Sequence, residues 1–171
     1  MIFLTIGTHE PFDRLVKAVD EWCAVHPLGA TVFGQITSPK ADGYAPKNFE
    51  WISRLSPADY ATRFAAADLI VSHAGMGSIL TALHSGKPIV ILPRRGHLRE
   101  TRNDHQYTTA KMLGTRPGIH VALDEAALGG VMDQALADLG KPGGIRIPAT
   151  ADPQFTDALR SFLTGGSARR K

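Results

Sequence analysis

The 171-residue sequence has one cysteine, Cys23, no internal repeat and no low-complexity segment. A single cysteine excludes an internal disulfide. It falls on the apolar side of an expected helix and reads as a small buried hydrophobe in a reducing compartment. No apolar run approaches the ~20 residues of a membrane span. No signal peptide is read at the start, because Met1-Ile2-Phe3-Leu4 has the character of a first strand. Charge is nearly balanced, at +3 with a pI near 9.2, which is too mild to imply nucleic acid. Gly-x-x-x-x-Gly-Lys-Ser/Thr is absent, which argues against a P-loop NTPase. The seven histidines form no helical His-x-x-x-His pair and have no cysteine pair beside them, so no metal site is expected. No Ser-His-Asp or Cys-His arrangement can be read from spacing. Without a linker to divide it, the chain is expected to be one domain over residues 1–164. Residues 165–171 would be a disordered basic tail ending in Arg169, Arg170 and Lys171, or a contact with an anionic surface.

What the sequence does have is alternation. Short continuous apolar runs, Ile2–Ile6, Thr31–Gly34, Phe49–Ile52, Leu69–Ser72, Ile89–Leu92 and Gly118–Leu123, read as strands buried on both faces. Between them lie segments of helical spacing. Phe12, Leu15, Val16, Val19, Trp22 and Cys23 form one stripe, with Pro11 suited to the helix's first position. Ser56-Pro57-x-Asp59 opens a second helix, with Tyr60, Phe64 and Ala65 on its apolar face. A helix runs to His84 and stops at Gly86, and another ends before Gly114. Asp124 caps one carrying Leu128, Val131, Met132, Ala135, Leu136 and Leu139. Asp152-Pro153 opens a last short one. The pattern predicts an α/β fold: a single Rossmann-like domain, its parallel sheet covered by helices on both faces.

Chemistry concentrates between Ala67 and Gln106. Strand, small-residue turn, helix and strand follow one another there, and the turn is His73-Ala74-Gly75-Met76-Gly77-Ser78. Gly75 and Gly77 allow a phosphate to approach backbone N–H groups at a helix N-terminus, and Ser78 adds a hydroxyl. The same glycines would serve a plain tight connection. The third glycine of Gly-x-Gly-x-x-Gly is missing and the turn falls mid-chain, so a simple NAD fingerprint is disfavoured. Gly7 and Thr8 form a similar turn after the first strand. There His9 has the acid–base range of a general base, although Glu10-Pro11 is also an ordinary helix start. Arg94, Arg95, Arg99 and Arg102 crowd one segment with Glu100, a patch suited to a phosphorylated ligand or an anionic surface. Asn103, Asp104, His105 and Gln106 supply the donors and acceptors that sugar hydroxyls need, or a helix cap.

His73-Ala74-Gly75-x-Gly77-Ser78, Gly86-Lys87-Pro88, Pro93 and Asn103-Asp104-His105-Gln106 together resemble the donor half of GT-B glycosyltransferases, in particular the family 28 C-terminal domain. That family includes the small catalytic subunit of the split transferase acting on dolichol-linked oligosaccharide. Phe3-Leu4-Thr5-Ile6-Gly7-Thr8 and Pro11-Phe12-Asp13-Arg14-Leu15 look like the opening of that subunit and of capsule and exopolysaccharide homologues. The resemblance spans roughly Met1 to Leu123.

It implies a UDP-sugar donor and no cofactor. Gly7, Thr8, His73 and the turn Gly75, Met76, Gly77 and Ser78 would hold the diphosphate, and Asp104, His105 and Gln106 would face the sugar. Many relatives place a glutamate for the ribose where this chain has Thr81, so either Thr81 makes a weaker contact or Glu100 takes over. One domain is half of a GT-B enzyme. The resemblance therefore implies an inverting transferase in lipid-linked saccharide or surface polysaccharide assembly. The chain would be cytoplasmic, held at the inner face of a membrane by an anchored, acceptor-binding partner that engages a lipid-linked saccharide. A homo-oligomer is compatible with this. The rivals are a nucleotide-sugar-binding regulatory subunit without activity and an epimerase-like enzyme, whose GT-B form uses both domains.

Overall fold

The structure, a computed structural model, describes residues 1–7, 10–26, 31–38 and 43–140, together with Asp157 and Arg160. Most of the expected last helix, the limit at residue 164 and the basic tail lie outside the described residues, as do Thr8 and His9. Strands and helices alternate as β1 Ile2–Thr5, α1 Asp13–Val25, β2 Val32–Gln35, β3 Glu50–Ile52, α2 Pro57–Ala66, β4 Leu69–His73, α3 Met76–Ser85, β5 Ile89–Leu92, α4 His105–Leu113, β6 Ile119–Val121 and α5 Glu125–Ala137.

All strand pairs are parallel, in the order β3-β2-β1-β4-β5-β6. The chain starts at the sheet centre, builds to one edge, and returns through β4 to build the other. Ile2 stands across from Val32 on one side and Leu69 on the other. Beyond the carboxyl ends of β1 and β4 the connections leave toward opposite faces, and the crevice between them is where such sheets bind ligands.

The double-faced core explains why the strands read as continuous apolar runs. Ile2, Leu4, Leu69, Val71, Val90 and Leu92 face α1 and α5. Phe3, Ile70, Ile89 and Ile91 face α2, α3 and α4. Each fully buried aliphatic side chain contributes about 2 kcal/mol of transfer free energy. Several local signals hold. The Ser56 hydroxyl accepts from the Asp59 N–H with Pro57 in the first turn, and Asp124 accepts from the Ala127 N–H. Gly86 ends α3 in the left-handed conformation, φ +63°. Cys23 is buried, and burial followed by the nearby Asp20 pushes its thiol up to about 11. Such a thiol is no nucleophile at neutral pH.

Four expectations need correction. β3 is not buried on both faces: among the described residues it is an edge strand paired only with β2, and Glu50, Trp51 and Ile52 are all exposed. Leu139 lies beyond the end of α5 at Ala137 and is exposed. α1 begins at Asp13, not at Pro11, because the carbonyls of Glu10 and Pro11 accept from the Arg94 guanidinium instead of opening the helix. Ala65 is exposed, and α2 buries only Phe64 fully, with Tyr60 half-buried.

Candidate functional site

Two cavities open at the carboxyl end of the sheet, and Gly7 lines both. Gly7 has φ +82°, and a Cβ there would come within 3.3 Å of the His73 ring. Glycine is thus required both by conformation and by the close approach of β1 to β4.

Between the cavities lies the turn from β4 into α3. Its two glycines differ in kind. A Cβ on Gly75 would fall 2.2 Å from His73 Nε2, so any other residue there would have to displace the His73 ring. A Cβ on Gly77 would meet nothing within 4 Å, and Gly77 is an ordinary helical residue. The space beside Gly77 is left open by the fold. Gly75 occupies the N-cap without any capping side chain, so the first-turn N–H groups of Met76, Gly77 and Ser78 face that opening as donors. The Met76 side chain is itself half exposed at the rim. Burial, and then the charge of Arg94, push His73 down to about 4, while the Thr5 backbone opposes the shift. The imidazole is therefore neutral at pH 7, and its Nδ1 lies 3.3 Å from the Ser72 hydroxyl. An anion placed at this turn meets N–H dipoles and a neutral ring.

The first cavity, about 850 Å³, is built from strand ends and the start of α2: Thr5, Gln35, Leu55, Tyr60 and Ser78 among others. Gln35 is buried at the end of β2, and its Oε1 accepts from the Leu55 N–H at 3.1 Å. The Tyr60 ring packs edge-on against Phe3, at 5.4 Å between centroids. Burial raises the Tyr60 phenol, opposed by its hydrogen bonding with Thr5 and Ser78. This cavity has an apolar wall, hydroxyls and one rim cation, Arg54. Apart from Ser78 and Gly7, its lining was not anticipated from sequence. Gln35, the polar residue closing an apolar strand, was the one local signal available.

The second cavity, about 780 Å³, is basic and includes His73, Arg94, Glu100, His105 and Gln106. Arg94 is 5% exposed. Its guanidinium donates to the carbonyls of Ile6 (2.9 Å), Glu10 (2.8 Å), Pro11 (2.7 Å) and Glu100 (3.3 Å) and stacks 4.5 Å from the Phe12 ring centroid. One cation thus ties both ends of the β1–α1 loop to the loop after β5. Gln106 is buried, and its Oε1 accepts from the Arg94 N–H, which leaves its amide nitrogen for a ligand.

Glu100, one of the two candidates for a ribose contact, lines the second cavity with both carboxylate oxygens already engaged. Its carboxylate forms a two-pronged pair with Arg14 at 2.9 Å on each oxygen and accepts from the Arg95 N–H at 2.8 Å. Thr81 is exposed, lines neither cavity, and donates its hydroxyl back to the Gly77 carbonyl at 2.8 Å. Asp104 staples the Gly96 N–H at 2.8 Å and does not line the cavity, while His105 does and is hydrogen-bonded to Asn103. Of the expected donor-binding residues, Gly7, His73, Ser78, Glu100, His105 and Gln106 line one cavity or the other, whereas Gly75, Met76 and Gly77 lie on the turn between the cavities and line neither. Among the described residues no group of three or more His, Cys, Asp or Glu could hold a metal ion, and no helix is long and apolar enough to cross a membrane.

With the geometry in view, residues 1–144 match the glycosyltransferase family 28 C-terminal domain. Over 117 residues, 65% of this chain and 10% of the relative, the sequence is 33% identical to the UDP-N-acetylglucosamine transferase subunit ALG13 of Mus musculus. It is 31% identical over 103 residues to the UDP-N-acetylglucosamine–N-acetylmuramyl-(pentapeptide) pyrophosphoryl-undecaprenol N-acetylglucosamine transferase of Phocaeicola vulgatus, covering 59% of this chain and 26% of the relative. The chain thus spans a tenth to a quarter of these relatives. The crystal structure of Acinetobacter baumannii MurG superposes with a TM-score of 0.57 at 20% identity, over 96% of this chain and 49% of that one. The fold is that of one half of a GT-B glycosyltransferase.

Proposed function

We propose a function from one premise: the chain belongs to the glycosyltransferase family 28 C-terminal domain family. It is the donor-binding half of an inverting UDP-sugar transferase in lipid-linked saccharide or surface polysaccharide assembly. The observation that carries this reading is the open space beside Gly77 at an uncapped helix N-terminus, at the point where the strand order reverses. The diphosphate lies over Gly75 to Ser78 beside His73. The uridine enters the Thr5–Tyr60 cavity, where Gln35, Tyr60 and Ser78 make the ribose contacts for which Thr81 and Glu100 were the two candidates. The sugar extends into the Arg94–Gln106 cavity, against His105 and the free amide nitrogen of Gln106.

An acceptor hydroxyl attacks the anomeric carbon from the side opposite the diphosphate. The new C–O bond forms as the bond to the β-phosphate oxygen breaks, UDP departs, and the hydroxyl proton passes to a base. The donors at the turn are already aimed at the oxygens where negative charge grows, so they stabilise the leaving group without reorganising. A membrane-anchored partner supplies the acceptor, and either the partner or His9 supplies the base. On this reading the chain works at the cytoplasmic face of a membrane. The naming of the mouse relative as a subunit supports a partnered enzyme.

Calorimetry of the full chain with UDP, UDP-N-acetylglucosamine, UDP-glucose and UDP-glucuronate tests the donor site. Saturable binding of UDP with none of NAD is expected, and UDP binding no tighter than uridine would overturn the assignment. Sugar transfer to lipid-linked saccharide in membranes should require this chain and a membrane protein together. UDP binding without transfer under any pairing would leave a regulatory subunit as the correct reading.

A further inference from the structure

Five arginines surround the second cavity or brace its wall, and their engagement divides them. Arg14 is paired with Glu100 and Glu125, Arg94 holds four carbonyls, and Arg95 donates to the Leu123 carbonyl while stacking on Tyr107. Arg99 and Arg102 are exposed at the cavity mouth, and neither guanidinium has a hydrogen bond or ion pair among the described residues. The acid between them offers no compensation, since Glu100 is already neutralised by Arg14. Diphosphate binding does not call for them either. In the proposed donor pose that charge is met at the Gly75–Ser78 turn, which neither Arg99 nor Arg102 contacts among the described residues.

The backbone that carries Arg99 is pinned on both sides. The Arg99 N–H bonds to the Gly96 carbonyl at 2.9 Å and the Glu100 N–H to the Arg95 carbonyl at 3.2 Å, a closed turn with Arg99 in its left-handed position, φ +59°. Glycine would occupy that position without strain. Glu100 clamps the turn to α1 through Arg14, and Asp104 clamps it again through Gly96. Leu98, half exposed, stands directly before Arg99.

We propose that Arg99 and Arg102 form a second anion subsite at the sugar end of the cavity, distinct from the diphosphate turn, that takes a carboxylate or phosphate group. The proposal rests on the donor reading above. Two reactants could carry the anion: the carboxylate of a uronic-acid donor, or the phosphate of a lipid-linked acceptor whose chain passes Leu98.

Two variants test it without endangering the fold. Arg99→Gly removes the guanidinium and relieves the positive φ, and Arg102→Ala changes an exposed side chain. Calorimetry on the full chain compares UDP, UDP-glucose and UDP-glucuronate, and a second titration adds farnesyl diphosphate to the UDP-saturated protein. For a carboxylate source, UDP-glucuronate binds more tightly than UDP-glucose, and each variant erases roughly five- to twentyfold of that preference, as expected for a charge-assisted contact near the surface. For a lipid phosphate source, the variants weaken farnesyl diphosphate by the same factor and leave both UDP-sugars unchanged. UDP affinity stays at the wild-type value in either case. Intact UDP binding with no variant-dependent change in either arm would overturn the subsite alone, whereas loss of UDP binding by the wild-type chain would overturn the donor reading beneath it.

Discussion

The two cavities flanking the Gly75–Ser78 turn are nearly equal in volume and opposite in chemistry. One is walled by Leu55 and the Tyr60 ring and carries hydroxyls; the other gathers Arg94, Arg99 and Arg102 around His73. The difference follows from what each strand end must do. β2 and α2 meet through an amide, Gln35 to Leu55, which needs no charge. The loop after β5 must hold the distant β1–α1 loop, and does so with a buried guanidinium on three of its carbonyls, Ile6, Glu10 and Pro11. A flat, mostly neutral body suits the first cavity, and a polar or anionic group suits the second.

Gly77 lines neither cavity but sits on the turn between them, beside open space, so its replacement has the largest expected effect. Gly77→Asp puts a carboxylate into the open space where phosphate is placed. It should weaken UDP and every UDP-sugar by roughly a thousandfold, about 4 kcal/mol. Gly77→Ala separates folding from binding, because no atom opposes its Cβ. Its melting temperature should rise slightly, by the equivalent of up to ~1 kcal/mol, while its affinity falls. Unchanged UDP affinity in the aspartate variant would remove the turn from the site and leave the two cavities unconnected.

His73 stands at the border as a half-buried neutral ring, and pH reads that directly. Its folded value of about 4 lies below the ordinary 6.5, so the unfolded chain binds more protons between those limits. Stability is full above pH ~6.5 and falls as pH drops toward 4, by at most roughly 3 kcal/mol. His120, also held low by burial, adds a smaller slope of the same sign. Thermal melts of His73→Asn should lose most of this slope, and a variant that keeps the wild-type slope would locate the titration elsewhere. Gly75→Ala attacks the same ring sterically. With its Cβ 2.2 Å from Nε2, the imidazole must swing out, at a cost of about 2 kcal/mol. Urea unfolding would register the loss, and wild-type stability would mean that the ring moves freely.

The features that could be read from sequence are those whose physics is local. The Gly75–Ser78 turn, the Ser56 and Asp124 caps and the doubly buried strands each declare themselves within a few residues. The misread features depend on partners far away in the chain. The start of α1 is set by Arg94, 83 residues from Pro11. Glu100 looked available for a ribose because nothing local shows that Arg14, 86 residues away, holds it. Among four clustered arginines, no pattern marks Arg94 as the buried one. The first cavity carries no motif of its own beyond Gly7 and Ser78, since Thr5, Gln35 and Tyr60 join them only once the sheet is assembled.

The smallest expected effects test the division between the cavities most sharply. Tyr60→Phe removes a hydroxyl on the uridine side and leaves the ring packing on Phe3. Losing one neutral hydrogen bond corresponds to about 1 kcal/mol, roughly fivefold in affinity, and it should fall equally on UDP and UDP-sugar. Gln106→Ala removes an amide on the other side and should weaken UDP-sugar by a similar factor while sparing UDP. The Gln106 variant also orphans the Arg94 N–H, so its stability drops as well, and affinities must be compared at a temperature where both proteins are folded. The informative quantity is the ratio of UDP-sugar to UDP affinity within each variant, which cancels any general loosening of the site. A ratio unchanged by Tyr60→Phe and lowered by Gln106→Ala places nucleoside and sugar in separate cavities. Equal ratios in both would mean that Gln106 acts only through Arg94 and that the sugar makes its contacts outside this chain.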